Sequence, residues 1–290
     1  MKGIWLPIIT PFKEDTIDVK SYKTLIDHYI DKGISGIIPM GTTGESPALD
    51  DYEKELLLNI TMEYVNGRVP VFFGHGGNYT NKVIKNLKRI ENSGIDGILS
   101  VCPYYNRPSQ EGIYEHFHAI SESSDLDILV YNIPYRTGQN IENETLFKLA
   151  EKSNIIGVKD ASGDFSQSTD LLMNRPDNFS IMSGEDLTLF SSLALGGDGG
   201  IVASAHLYTT LYLDLVEAFN KSDFKKAKKI WNKLFPIIPY LFKEPNPAPI
   251  KYLLKSLNMI DTDDIRLPLV KCSQTLRNEL DQFMASYTGQ

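Results

Sequence analysis

The sequence predicts an α/β fold, a (β/α)8 TIM barrel with a small helical appendage at its C-terminus, and three observations predict it. Short runs apolar on both faces alternate with amphipathic helical stretches, the pattern of parallel strands buried beneath helices. Eight such units precede residue 220, and closure into a barrel leaves no exposed edge strand. The runner-up, an open doubly wound sheet, lacks its dinucleotide fingerprint. Gly74-His75-Gly76-Gly77-Asn78-Tyr79 has no third glycine where G-x-G-x-x-G needs one.

Taken in order, strand 3–10 leads to helix 19–31, strand 36–40 to helix 51–64, and strand 69–74 to helix 80–93. Strand 97–102 leads to helix 110–121, and strand 127–133 to helix 142–151. Strand 155–159 follows, then strand 179–183 with helix 187–195 and strand 200–203 with helix 207–219. Each apolar run stops at Gly, Pro or polar residues, which punctuate the units. Ala194-Leu195-Gly196-Gly197-Asp198-Gly199-Gly200 precedes a strand and reads as a turn on the rim opposite the strand ends. Beyond residue 220, 221–241 reads as helix, the proline-rich 244–249 as a rigid turn, and 250–257 as helix again. The expected organisation is a barrel over 1–220 and a helical extension over 221–290.

A chain of 290 residues, 42% hydrophobic, can bury a large core. No stretch approaches the roughly 20 apolar residues of a membrane span, and Met1-Lys2-Gly3-Ile4-Trp5-Leu6-Pro7 has no signal-peptide character. A cytoplasmic location is expected. The formal charge of -8 is spread along the chain, which argues against nucleic acid as a partner. Cys102 and Cys272 form no C-x-x-C pair, so buried, reduced thiols are expected rather than a disulfide. His28, His75, His116, His118 and His206 form no ligand set, and no metal is expected.

In a barrel, polar residues at strand ends carry the chemistry. Lys159, in Ile155-Ile156-Gly157-Val158-Lys159-Asp160, shares a strand face with Ile155 and Gly157. Facing inward, with Gly157 making room, its amine would be desolvated and its pKa lowered, as a nucleophile requires. From about 10.4, roughly one lysine in two thousand is neutral at pH 7, and reaching about 7.5 takes on the order of 4 kcal/mol. The plain alternative is a strand-end lysine paired with Asp160 in solvent. Tyr131, in Val130-Tyr131-Asn132-Ile133-Pro134, ends the preceding strand. It is either a proton carrier or aromatic core packing.

Gly41-Thr42-Thr43-Gly44-Glu45-Ser46 could cradle an anion, although a glycine-rich turn explains it equally well. It is not a P-loop, since no Gly-Lys-Ser/Thr follows. Arg136, in Tyr135-Arg136-Thr137-Gly138, can clamp a carboxylate bidentately or simply face water. Pro103-Tyr104-Tyr105-Asn106-Arg107-Pro108 lies on another strand-end loop.

Together these segments resemble the dihydrodipicolinate synthase / N-acetylneuraminate lyase family of Schiff-base aldolases. The likeness runs from Ile9-Thr10-Pro11-Phe12 to Arg266-Leu267-Pro268. Gly41-Thr42-Thr43-Gly44-Glu45, Tyr131-Asn132-Ile133-Pro134 and Gly157-Val158-Lys159-Asp160 carry the family pattern. Tyr104-Tyr105-Asn106, Arg136 and Glu244-Pro245-Asn246-Pro247-Ala248-Pro249-Ile250-Lys251 resemble its synthase branch. The resemblance implies an imine between Lys159 and pyruvate with no separate cofactor, and addition to aspartate 4-semialdehyde. It implies Tyr131 as proton carrier, relayed through Thr42 and Tyr105. Thr43 would hold the pyruvate carboxylate and Arg136 that of the second substrate, with Gly184 and Ile201 also at the substrate. It further implies a homo-oligomer, a dimer or a tetramer of two dimers, in which Tyr105 crosses the dimer interface.

Three positions depart from the synthase pattern: Tyr135 for a small serine, His206 for an asparagine, and His75 for a threonine. They put the acceptor aldehyde in question and keep open a lyase acting on a sialic acid or a 2-keto-3-deoxy sugar acid. A non-catalytic keto-acid-binding barrel is the third reading. Lys54 and Lys82 stand where lysine-inhibited members carry a histidine and a glutamate. A cationic pair there repels free lysine, so insensitivity to lysine is expected.

Overall fold

The computed structural model describes residues 1–287. Its eight main strands are β1 (Gly3–Leu6), β2 (Gly36–Ile37), β3 (Phe72–Gly74), β4 (Gly97–Val101), β5 (Asp127–Asn132), β6 (Ile155–Asp160), β7 (Ser180–Ser183) and β8 (Gly199–Ile201). They form one sheet in the order β2-β1-β8-β7-β6-β5-β4-β3. This is the (β/α)8 class that the alternation predicts.

Helices α1 (Val19–Lys32), α2 (Asp51–Val65), α3 (Thr80–Ile90), α4 (Gln110–Ser121), α5 (Asn143–Leu149), α6 (Phe165–Met173), α7 (Leu189–Ala194) and α8 (Thr209–Asn220) follow the strands in turn. After them come α9 (Phe224–Leu234), α10 (Ile238–Leu241), α11 (Ala248–Ser256) and α12 (Gln274–Ser286). Among the described residues no helix is long and apolar enough to cross a membrane.

The chain forms two compact parts, residues 1–5 with 70–202 and residues 6–69 with 203–287. In the first, β5 and β6 are buried almost throughout, which is why their sequences are apolar on both faces. Their parallel register pairs Tyr131 with Lys159 and Asn132 with Asp160, and the next pairs Lys159 with Met182 of β7. In the second part, α1 is capped by Asp18 at its start and by left-handed Gly33 at its end. A reciprocal Asp50–Glu53 capping box starts α2.

Four expectations needed correction. Helix α6 lay outside the predicted series because its Ser- and Thr-rich sequence buries only Leu171 and Leu172, and its start depends on the Asp164 side chain capping Ser166 and Gln167. Helix α12 was also unread. The expected helix 221–241 is broken: Ser222 takes a positive φ of 54°, Asp223 caps α9, and Pro239 opens α10. The supposed turn 244–249 ends inside α11, whose first turn holds Pro249, where a missing N–H costs nothing.

Candidate active site

Two buried strands set the centre of the site. Lys159 is only 6% exposed, which removes the reading of a solvent-facing lysine. Asp160 instead accepts from the Ser162 backbone N–H and the Ser168 hydroxyl. Burial pulls the Lys159 amine down to about 8; Asp186 and Glu185 push back upward, and Arg136 pushes further down. At that value about a tenth of the amine is neutral at pH 7. Its Nζ lies 4.2 Å from the ring centroid of Tyr131, itself buried.

The room for Lys159 comes from Gly184, not from Gly157. A Cβ on Gly184 would fall 2.8 Å from Lys159 Cγ and 2.9 Å from Cε. A Cβ on Gly157 would instead meet the Ser180 carbonyl oxygen at 2.3 Å. Gly157 therefore allows β7 to approach β6, a neighbour relation invisible along a single strand. Gly184 is fixed in turn by its N–H, which donates to the Asp160 carbonyl at 2.6 Å.

Arg136 sits in the single helical turn Pro134–Thr137 after β5, exposed, with its guanidinium 5.5 Å from the Tyr135 ring. The loop carrying it hangs on buried Asn132. That side chain donates to Asn140 Oδ1 at 2.9 Å and to the Ile141 carbonyl, and accepts from the Ile141 N–H at 3.1 Å. Gln167 continues the network by accepting from Asn140 and donating to the Ile141 carbonyl. Tyr105 is 90% exposed at a φ of 74°, and its N–H reaches the Thr137 carbonyl at 3.4 Å. Ile201 is buried at the end of β8.

In the second part, the Gly44 and Glu45 amides bond within the loop, to the Gly41 and Thr42 carbonyls. Those two N–H groups are committed within the loop; the donors that an anion could meet are on half-buried Thr42 and buried Thr43. Thr10 donates to the Gly44 carbonyl at 2.8 Å, and Asn246 Nδ2 donates to Thr43 Oγ1 at 2.9 Å. Glu45 forms a buried ion pair with Lys251, whose ammonium donates to the Asp264 carbonyl at 2.9 Å and lies 4.3 Å from the Phe12 ring centroid. Burial outweighs Glu45 and lowers Lys251 to about 8.

The family model for the dihydrodipicolinate synthetase family matches residues 1–286. The chain belongs to that family. It is 55% identical over 287 residues to 4-hydroxy-tetrahydrodipicolinate synthase 2 of Clostridium acetobutylicum, covering 98% of this chain and 99% of that protein. A 4-hydroxy-tetrahydrodipicolinate synthase of Syntrophus aciditrophicus is 42% identical, covering 99% of this chain and 98% of that one. The crystal structure of dihydrodipicolinate synthase from Aquifex aeolicus superposes with a TM-score of 0.95 at 34% identity, covering 99% and 98% of the two chains.

Within this family member, Lys159, Tyr131, Gly184 and the Arg136 loop belong to the first part, as do Tyr105 and Ile201; Thr42 and Thr43 belong to the second. The three departures from the synthase pattern sit in different surroundings. His206 is a buried strut: its Nδ1 donates to the Ala203 carbonyl at 2.7 Å, so its Nε2 is bare and accepts the Ile9 N–H at 3.2 Å. Burial lowers its pKa to about 4 and keeps the ring neutral. His75 Nε2 bonds the Val83 carbonyl at 2.8 Å, and Tyr135 is 87% exposed. Lys54 is half-buried on α2, and Lys82 is exposed on α3. Asn132, Asn246 and the Glu45–Lys251 pair lie in the quoted motifs but had no role of their own in the sequence reading. Each is polar and wholly buried, which sequence alone does not reveal.

Proposed function

We propose that this chain is a 4-hydroxy-tetrahydrodipicolinate synthase that condenses pyruvate with aspartate 4-semialdehyde through an imine on Lys159. The observation that carries the reading is a dry strand-end amine, lowered to about 8, lying over a buried phenol ring. Neutral Lys159 attacks C2 of pyruvate, the carbinolamine loses water, and the iminium accepts the electrons released when the C3 methyl loses a proton. The resulting enamine adds to the aldehyde carbon. The amino group of the second substrate then attacks C2, closing the ring and freeing Lys159. Because the iminium nitrogen is the electron sink, the scheme uses no separate cofactor.

Tyr131 carries the protons, relayed through Thr42 and Tyr105. Thr43 binds the pyruvate carboxylate, Arg136 that of the semialdehyde, and Gly184 and Ile201 line the substrate. The exposed, left-handed Tyr105 suits a residue that works in a neighbouring copy, supporting a dimer or a tetramer of two dimers. Cleavage of a sialic acid or a 2-keto-3-deoxy sugar acid is not favoured, since the relatives at 55% and 42% identity are named synthases. A mere keto-acid binder has no use for a neutral amine beside a phenol.

Turnover of pyruvate with aspartate semialdehyde, measured beside sugar-derived aldehydes, tests the assignment. The semialdehyde is expected to be preferred by about a hundredfold or more in kcat/KM, the discrimination expected of a site that pairs a substrate's charged group. Preference for a sugar aldehyde would overturn the acceptor.

A further inference from the structure

One buried side chain has no task in this scheme. Asn246 donates its Nδ2 to Thr43 Oγ1 at 2.9 Å, and its Oδ1 is buried with no partner among the described residues. An orphaned amide oxygen is a cost, borne here beside a hydroxyl assigned to substrate. A threonine hydroxyl has one proton to give and two lone pairs to accept with. With a lone pair committed to the Asn246 N–H, the proton of Thr43 points elsewhere.

The same two segments are clamped a second time. Glu45, two residues after Thr43, forms its buried pair with Lys251, five residues after Asn246. Arg266 adds a backbone N–H to the Glu45 carboxylate at 3.2 Å. The Asn246–Thr43 hydrogen bond is thus backed by a second, charged contact between the same two segments.

We infer that Asn246 is a positioning residue that fixes the Thr43 hydroxyl as a donor, the polarity required to bind the carboxylate of a 2-keto acid. The inference rests on the proposed role of Thr43 and names what sets it. It distinguishes Asn246 from an inert packing residue, because a side chain of the same shape that only accepts would reverse the hydroxyl.

The test is the pyruvate KM of Asn246→Asp and Asn246→Ala, each made in the wild-type and Thr43→Val backgrounds. Asn246→Asp is expected to raise KM about tenfold at pH 8 with kcat within about twofold, the size of one lost hydrogen bond to a charged group. The rise should shrink at low pH, where the new carboxyl is protonated and donates again. In the Thr43→Val background neither substitution should raise KM further. If Asn246→Asp fails to fold, Asn246→Ala carries the same cycle, with an expected rise of about threefold. An unchanged KM in Thr43→Val alone would refute the role of Thr43. A raised KM there, with Asn246 variants either silent or adding the same factor in both backgrounds, would refute the inference about Asn246.

Discussion

The ammonium nitrogen of Lys159 lies 4.2 Å from the ring centroid of Tyr131, its cross-strand partner in the β5–β6 register. That ring face favours the charged amine by a modest cation–π term, while burial opposes the charge more strongly and leaves the pKa at about 8. The phenol is the group that distinguishes catalysis from packing. Tyr131→Phe keeps the ring and removes the proton carrier. We predict a fall in kcat of about 10²- to 10³-fold with a melting temperature near that of wild type, and a pyruvate adduct that still forms, more slowly. A kcat within twofold of wild type would make Tyr131 a packing residue.

The two glycines separate activity from stability. Gly184→Ala puts a methyl against Lys159 Cγ and Cε, so pyruvate turnover should drop at least about tenfold for a displacement costing about 1.4 kcal/mol in the transition state. Gly157→Ala meets backbone in β7 and should cost stability, by about 1–3 kcal/mol of overpacking. Urea unfolding and steady-state kinetics on both variants check the contrast, and equal effects on both would contradict it.

Arg136 is predicted to act on the second substrate. Arg136→Ala should raise the aspartate semialdehyde KM by about ten- to a hundredfold, the loss of a charge-assisted pair, with little change for pyruvate. Removing its charge also lifts a downward influence on Lys159. The pH at which pyruvate turnover reaches half its plateau should therefore move upward. A downward move would contradict the electrostatic assignment.

Much of the first part was legible because it obeys local rules. Lys159 stands at the end of an apolar run, and alternation alone puts it on one face with Gly157. What Gly157 touches was not legible, since Ser180 arrives from another strand. Asn132 reads as an ordinary strand-end polar residue until its partners Asn140, Ile141 and Gln167 are folded onto it. Asn246 and Thr43 are 203 positions apart, and no spacing rule spans that distance. His206 reads only as a departure from the synthase pattern, and its bond to the backbone of Ile9, far away in sequence, is seen only in the fold. Helix α6 escaped notice because its cap, rather than an apolar stripe, defines it.

That strut predicts a pH dependence. His206 has a folded pKa near 4 against about 6.5 when unfolded, so the unfolded chain binds more protons between those values. Stability from this group is complete above pH 6.5 and is lost as pH falls towards 4, amounting to a few kcal/mol. His116, also lowered to about 4 by burial, adds to the same slope. Urea midpoints from pH 7 to pH 4.5 should decline, and the decline should be shallower in His206→Asn. An identical slope in the variant would contradict the assignment.

The central claim is most directly tested by borohydride reduction with pyruvate, read by mass spectrometry of the intact chain and its peptides. Wild-type protein should gain one pyruvate-derived adduct on the peptide bearing Lys159, at a rate that rises with pH up to about 8, and Lys159→Ala should gain none. An adduct that persists in Lys159→Ala, or no adduct in the wild type, would contradict the account.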